Sequence, residues 1–435
     1  SSPFPILHSS KSGFFFGVIR DGKLDESIYK LSFEGSQDGE KIILANNSSS
    51  GISKRFSFRE NSYQVVVKIN GLKENDKIVF QGFNGESTSR YNVKSFVFLD
   101  SQNRLRRKPI TETAEDTLGA VRGVGFDSQY FALFALIGDT SLKALIAAQN
   151  IDLPQIQLPL TFNREEMIFT LFIGPKEIRV LDNLGDPYKK LLDLGFFAAL
   201  ADPILRGLLL IAEYVENYGL AIVILTVLIR LALFPLNSMS YKALEKLKQL
   251  QPEIERLKKQ FENDQQALNR ELLLLYQKKG VNPFSGCLPI IIQIPIFFGL
   301  YSALLHAVEL RHAKFFGWIK DLSQTDYIYL GPIPIPVLTL IFGASFIYQQ
   351  KLNPPQFTDP AQEAVFKWMP YIILVLFIIV PMPSGLVLYW LINNISSIAQ
   401  VLISRKVSSR NLFLINLAIN VLLVLICYMF IFLFE

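Results

Sequence analysis

Cysteine and histidine are scarce in this chain, with two of the first and three of the second in 435 residues. Cys287 and Cys427 both lie in apolar runs rather than polar loops, so no disulfide staple is expected. His8, His306 and His312 form no HxxxH pattern and no CxxC occurs, so no metal site is expected. Charge is also sparse, at 19% against 50% hydrophobic residues, which is too apolar for an ordinary soluble protein. No acidic residue lies well inside any long apolar run, which argues against a proton- or cation-coupled transporter. Nor does any Ser/His pair or pair of carboxylates, which argues against a hydrolase working at membrane depth. The stretch Gly119-Ala-Val-Arg-Gly-Val-Gly is glycine-rich, but it is not GxxxxGK and no clear βαβ unit surrounds it; no phosphate loop and no cofactor are expected. Residues 1–30 contain no apolar signal segment.

What the chain does have is long apolar runs, concentrated beyond residue 217. A crossing helix needs about 20 mostly apolar residues. Five runs meet or approach that length: 219–237, 289–307, 331–348, 369–402 and 412–434. The fourth contains Pro381-Met-Pro-Ser-Gly, where a helix cannot continue because proline lacks the N–H and clashes with the preceding turn. A re-entrant turn there divides it into 369–380, short enough to need tilt or a thinned bilayer, and 386–402. The sequence therefore predicts six spans. Lysine and arginine set the orientation. Lys242, Lys246, Lys248, Arg256, Lys258, Lys259, Arg270, Lys278 and Lys279 place the loop after the first span on the cytoplasmic side. Lys351 and Lys367 do the same for 350–367, and Arg405, Lys406 and Arg410 for 404–410. Residues 1–215, the loop 308–329 and the Pro-Ser-Gly turn then fall outside, with His306 and His312 at a helix end in the interface.

The expected organisation is a β-sandwich over 1–185, an interfacial amphipathic helix over 186–216, a first core span over 217–239, a helical hairpin over 240–283, further core spans over 284–407 and a last span over 408–435. Runs beginning at Tyr63, Lys77, Val93 and Glu166 are β-branched or aromatic and many are bounded by turn residues. Leu191, Leu192, Phe196, Phe197 and Leu200 beside Lys189, Lys190 and Asp193 suggest a helix lying in the interface. Leu244, Leu247, Leu250, Ile254 and Leu257 make an apolar stripe that Asn263-Asp264 breaks and Leu268, Leu272, Leu275 and Tyr276 resume. That hairpin is either simply solvated or a docking arm for nascent chain, ribosome or partner. The run from Ser408 has the positive start of an N-terminal signal anchor; it is expected to precede Ser1 in the natural order, the alternative being a genuine sixth span together with a cleaved leader.

Arg230 is the anomaly. It lies near the middle of its predicted span, twelve residues from Lys242, or about 18 Å of helix, farther than a side chain can snorkel. A central arginine costs about 2.5–3.5 kcal/mol on insertion scales, so it must face protein or water. Thr226 lies one turn earlier on the same face, and other spans supply Gln293, Ser302, Asn393, Asn394, Ser396 and Ser397. Either Arg230 is satisfied by helix-end carbonyls and water, or it floors a hydrated cavity that receives polar or acidic segments transiently.

These residues occur with a set of motifs: Ile229-Arg230 ahead of Phe234-Pro-Leu, Leu250-Gln-Pro-Glu-Ile, Gly280-Val-Asn-Pro-Phe-Ser-Gly-Cys-Leu-Pro, Ile292-Gln-Ile-Pro-Ile-Phe, Val308-Glu-Leu-Arg-His, Trp318-Ile-Lys-Asp-Leu-Ser, Thr358-Asp-Pro and Pro383-Ser-Gly-Leu-Val-Leu-Tyr-Trp. In this order they make the chain resemble the YidC/Oxa/Alb family of membrane protein insertases, of the Gram-negative bacterial type; Gln129-Tyr-Phe and Phe172-Ile-Gly-Pro-Lys match more loosely. The resemblance implies a polytopic α-helical protein of the bacterial inner membrane, with five core spans, a periplasmic β-supersandwich, an interfacial helix and a cytoplasmic hairpin. It implies a non-enzymatic insertase and chaperone for nascent membrane proteins, working alone or with the Sec translocon (SecYEG, SecDF), in contact with lipids and with no nucleic acid. Its groove residues would be Arg230, Thr226, Gln293, Tyr389, Trp390 and Asn393. The family's N-terminal anchor matches the Arg410-Asn-Leu run, which strengthens the permuted order. The stretch Ser404–Ser409 after the last family span is short, so only weak ribosome contact is expected. The competing function is a secondary transporter or channel for a small anionic solute.

Overall fold

The computed structural model describes residues 16–21, 23–24, 30–37, 40–46, 51–81, 95–110, 115–138, 142–148, 154–161, 164–262, 264–281, 288–352, 360–380, 382–404 and 411–434. Cys287, Pro381 and the basic residues Arg405, Lys406 and Arg410 lie outside the described residues. Two compact units divide the chain, Ser1–Asp193 and Leu194–Glu435.

The first unit is built of antiparallel strands: β1 (Phe16–Arg20), β2 (Lys23–Leu24), β3 (Lys30–Gln37), β4 (Glu40–Asn46), β5 (Ser53–Arg59), β6 (Gln64–Leu72), β7 (Lys77–Gln81), β8 (Ser95–Asp100), β9 (Leu105–Pro109), β10 (Glu115–Asp127), β11 (Phe131–Ile137), β12 (Leu142–Ala148), β13 (Pro154–Pro159) and β14 (Arg164–Pro175). Their hydrogen-bonded order is 2-1-7-13-12-10-11-14-6-5-4-3, with β8 joining β10 and β9 joining β8. The long strand β10 makes the sandwich possible. Its first half pairs β12 and its second half pairs β8 and β11, with register shifts at Leu118/Ala120 and Val121/Gly123. A bulged strand of this kind lets a sheet turn a corner and face itself. The glycine-rich stretch is therefore strand, and two of its glycines, Gly123 and Gly125, serve close packing. A Cβ on Gly125 would lie 2.0 Å from the Leu133 carbonyl oxygen, and one on Gly123 2.6 Å from the Phe134 ring.

Alternation along the strands supplies two cores. Phe169 and Leu171 of β14 face the larger, with Ile69, Phe80, Phe96 and Phe126, whereas Phe172 faces the smaller, with Phe134, Leu181, Tyr188 and Leu191. Helix α1 (Ile178–Leu184) and the 3-10 turn Tyr188–Leu191 cover that second face. A buried ion cluster joins β10 to the end of β14. Lys176 Nζ donates to Asp127 Oδ1 at 2.8 Å, and Arg107 Nε to Asp127 Oδ2 at 2.8 Å.

The second unit is helical: α2 (Ala198–Val215), α3 (Tyr218–Ala232), α4 (Phe234–Gln249), α5 (Gln251–Gln260), α6 (Gln265–Lys279), α7 (Leu288–His306), α8 (Val337–Leu352), α9 (Pro360–Ile379), α10 (Ser384–Ser404) and α11 (Leu412–Phe434), with a strand pair β15 (Tyr327–Leu330) and β16 (Ile333–Pro336) before α8. Helices α10 and α11 are each long and apolar enough to cross a membrane, and α3 with α4, bent by 59°, makes a third candidate; Ile292–His306 and Lys367–Ile379 are shorter apolar helices. Leu250, just before α5, joins Ile254 of α5 and Leu268 and Leu272 of α6 in a small core of their own. Asp264 starts α6 by accepting from the Ala267 N–H at 2.9 Å, and Lys279 pairs with Glu253 at 2.6 Å.

Several boundaries differ from the sequence expectation, each for a local reason. The helix expected over Pro187–Leu200 is not formed there: Tyr188–Leu191 is a 3-10 turn, Gly195 at φ +70° breaks the run, and the helix spans Ala198–Val215 instead. It packs against α7 and α3 through Ala201, Leu205 and Leu208. The predicted span 331–348 starts instead at Val337. Pro332, Pro334 and Pro336 exclude helix, and residues 327–336 form a hairpin. The span predicted from 369 begins nine residues earlier, at Pro360, because Ala361, Gln362 and Glu363 are good helix formers that a hydropathy count overlooks.

Candidate functional site

Helix α3 is placed by its first turn. Asn217 caps it, accepting from the Leu220 N–H at 2.9 Å while its own amide donates to the Phe315 carbonyl at 3.1 Å. Gly219 then lies flat on the Phe315 ring, which a Cβ would meet at 2.2 Å. At the other end, Pro235 has no N–H to give the Leu231 carbonyl, and the helix bends between Ala232 and Phe234. Arg230 therefore sits in the last turn of α3, just before the bend, rather than mid-helix. A cation there is favoured by the partial negative charge of the helix end.

Helix α10 receives it. The start of α10 is fixed by backbone bonds from Ser384 to Gln324 at 2.7 Å and from Gly385 to Leu322 at 2.9 Å. Ser384 Oγ also donates to the Asp321 carbonyl at 2.9 Å. The Pro-Ser-Gly stretch thus ends one helix and anchors the next. Further along, Asn393, Ser397 and Gln400 share a helix face at i, i+4 and i+7. Arg230 Nη1 donates to the Asn393 carbonyl at 3.0 Å, to Asn393 Oδ1 at 2.9 Å and to Ser397 Oγ at 2.7 Å. Its Nη2 donates to Gln400 Oε1 at 3.0 Å. Gln400 Nε2 in turn reaches Ser238 Oγ of α4 at 3.4 Å. Arg230 is only 8% exposed, so these amide, hydroxyl and carbonyl oxygens provide the solvation that water would give elsewhere.

The remaining predicted residues form neighbouring groups. Thr226 is buried and turns its hydroxyl back to the Ile222 carbonyl at 2.6 Å. Gln293 of α7 donates to the hydroxyl of the buried Tyr389 at 2.9 Å. Trp390 stacks with Phe377, Phe297 and Phe342 at centroid distances of 4.6, 5.4 and 5.6 Å. Tyr389 and Trp390 thereby fasten α10 to α7, α8 and α9. Of the other polar residues in the spans, Asn394 donates to Ser345 at 3.0 Å and Ser396 to Asn420 of α11 at 2.7 Å. Ser302 donates to the Leu194 carbonyl at 2.6 Å. Gln400 and Ser238 were not among the residues singled out from the sequence. The repeat 393/397/400 carries the signal for Gln400, whereas Ser238 is reached only because the chain bends.

Comparison with known proteins adds the following. Residues 210–411 match the family model described as 60Kd inner membrane protein. A membrane protein insertase YidC from Geotalea daltonii is 43% identical over 423 residues, covering 91% of this chain and 78% of that protein. Another, from Geobacter sulfurreducens, is 38% identical over 307 residues, covering 68% of this chain and 56% of its own length. Against several such curated relatives the chain spans about half their length. Among solved structures, an active YidC insertase with its first transmembrane domain resolved is 22% identical at a TM-score of 0.42, over 90% of this chain and 83% of that one, too loose a likeness to carry an argument.

Proposed function

We propose, for a chain that belongs to the YidC family of membrane protein insertases, that it inserts and folds nascent membrane proteins by lending their polar segments a hydrophilic groove around Arg230. The observation that carries this reading is the setting of Arg230: a guanidinium near the end of an apolar helix, held by the uncharged oxygens of Asn393, Ser397 and Gln400. A polar loop or tail cannot enter hydrocarbon cheaply. A cation presented by exchangeable amide and hydroxyl partners offers such a segment replacement hydrogen bonds part of the way across. The apolar part of the substrate meanwhile partitions into lipid. With no nucleotide motif in the sequence, the driving force is hydrophobic partitioning and the membrane potential acting on substrate charge, about 2.3 kcal/mol per elementary charge per 100 mV.

In this reading six spans cross the bacterial inner membrane. The basic segments around α5 and α6 lie in the cytoplasm and the β unit lies in the periplasm. The groove opens to the cytoplasm and to lipid, lined or flanked by Thr226, Gln293, Tyr389, Trp390 and Asn393. The Sec translocon is a partner for some substrates, and ribosome contact is weak. No reaction is catalysed.

The test is photo-crosslinking from Gln293 and Asn393, two half-buried polar members of the set, to a stalled nascent membrane protein. Crosslinks from both positions, and none from Phe58 in the β unit, are expected. Their absence at both would remove the groove from the mechanism. Solute uptake by liposomes holding the purified chain would instead favour a transporter of small anions.

A further inference from the structure

The hairpin of β15 and β16 stands outside everything assigned so far. Its strands pair from Tyr327↔Pro336 to Leu330↔Ile333. They are joined by Gly331-Pro332, with Gly331 at φ +63°, the arrangement of a two-residue type II′ turn. The base is tied down. Asp326 Oδ2 accepts from Trp318 Nε1 at 3.0 Å and from the Leu338 N–H at 2.6 Å, so one carboxylate holds both the hairpin and the first turn of α8. The tip is bare: Tyr329, Leu330 and Ile333 are 67%, 65% and 61% exposed. A loop that displays three large apolar side chains to water is unusual unless water is not what it meets.

Three features identify the medium. First, no charged residue occurs from Tyr327 to Gln350, so the apolar surface runs unbroken from the hairpin into α8, where Leu340 and Ile341 are also exposed. Second, the sixteen residues of α8 rise only about 24 Å, short of the roughly 30 Å of a hydrocarbon core. An apolar hairpin at its head makes up the shortfall. Third, Pro332, Pro334 and Pro336 have no N–H. A two-stranded ribbon has unpaired edges whose desolvation normally keeps it out of lipid; removing donors from β16 and its turn lowers that cost. Tyr327, Tyr329 and Trp318 are residue types that favour the headgroup boundary.

We infer that this hairpin is a membrane-interface element whose tip, Tyr329 to Ile333, is seated among the lipids of the leaflet opposite the basic segments. Its occupant is lipid acyl chain and glycerol, not a protein partner. This rests on reading the second unit as membrane-spanning, so the experiment separates the two. The full chain, with Cys287→Ala and Cys427→Ala, receives one nitroxide label at Leu330→Cys or Ile333→Cys and is reconstituted in phosphatidylcholine/phosphatidylglycerol vesicles. Collision with oxygen, which concentrates in lipid, is compared with collision with a water-soluble nickel chelate. Ile372→Cys on the exposed face of α9 is the lipid control and Glu255→Cys on α5 the water control. Both hairpin labels are expected to collide severalfold more with oxygen than with nickel, as at Ile372. Hairpin labels that behave like Glu255 while Ile372 reads as lipid would overturn the inference and leave the spanning architecture intact. If Ile372 also reads as water, both fall. Both hairpin positions are surface-exposed, so neither replacement disturbs packing.

Discussion

Arg230 is bound through geometry as much as charge. Its two terminal nitrogens reach Asn393, Ser397 and Gln400, three positions along one helix face. Hydrogen bonds to a charged group contribute roughly 1.5–3 kcal/mol each, so truncation to alanine loses several and leaves the α10 oxygens facing one another. Insertion of substrates with acidic translocated segments, read as protease protection in proteoliposomes, is expected to fall strongly in Arg230→Ala and further in Arg230→Glu. Arg230→Lys, which keeps the cation, retains most of it; normal insertion by Arg230→Glu would refute the electrostatic part. Asp76 carries a separate pH prediction. Burial pushes its carboxyl up, but Arg20, donating at 2.7 and 3.0 Å, and the Lys73 N–H more than offset that, so it titrates below the usual 3.8. A carboxyl depressed in the fold contributes stability that is complete above its unfolded value and is lost as pH falls through the folded one. Asp76→Asn should therefore melt below the parent at pH 7, and the gap between the two should close as pH drops beneath 3.8.

Among the elements, α11 shows how a span is held. Asn420 is buried, accepts from Ser396 Oγ at 2.7 Å and donates to the Asn416 carbonyl at 2.8 Å. Inter-helix hydrogen bonds in membranes average about 0.6 kcal/mol, with a maximum near 1.7. Asn420→Leu should destabilise the detergent-solubilised chain by a free energy in that range, read as a lower melting point, and adding Ser396→Ala should cost little more, since both partners are then apolar. Much of this level was legible in the sequence. Alternation located β6, β8 and β14, and the run 412–434 is α11 residue for residue. What escaped had a common cause: hydropathy records how apolar a stretch is and says little about its backbone. The prolines at 332, 334 and 336 spelled out the β15–β16 hairpin inside an apolar run. The polar turns at Gln362 and Glu363 hid the beginning of α9. That Gln400 faces Arg230 follows from its spacing on α10, but that α10 faces α3 is a matter of tertiary packing no single stretch encodes.

At the scale of the whole molecule, the two units rest on different physics. The helical unit hides an arginine among neutral oxygens, whereas the β unit hides a lysine beside an aspartate. Burial pushes the Lys176 ammonium below its ordinary value, and Asp127 pulls it partly back. Removing one partner of a buried pair typically costs about 3–5 kcal/mol, because the other charge is stranded. Asp127→Ala should shift the unfolding of Ser1–Asp193, followed by strand-specific circular dichroism, and leave the helical signal of the second unit in place. A loss of both signals together would mean that the units do not unfold separately. Each unit has its own core, and the division between them falls after Asp193.

The bend before α4 has a mechanical meaning. Pro235 has no donor for the Leu231 carbonyl, which accepts from the Leu233 N–H instead, so one regular helical bond is missing where α3 meets α4. Gln400 acts as the strap across it, gripping Arg230 on one limb through its carbonyl and Ser238 on the other through its amide.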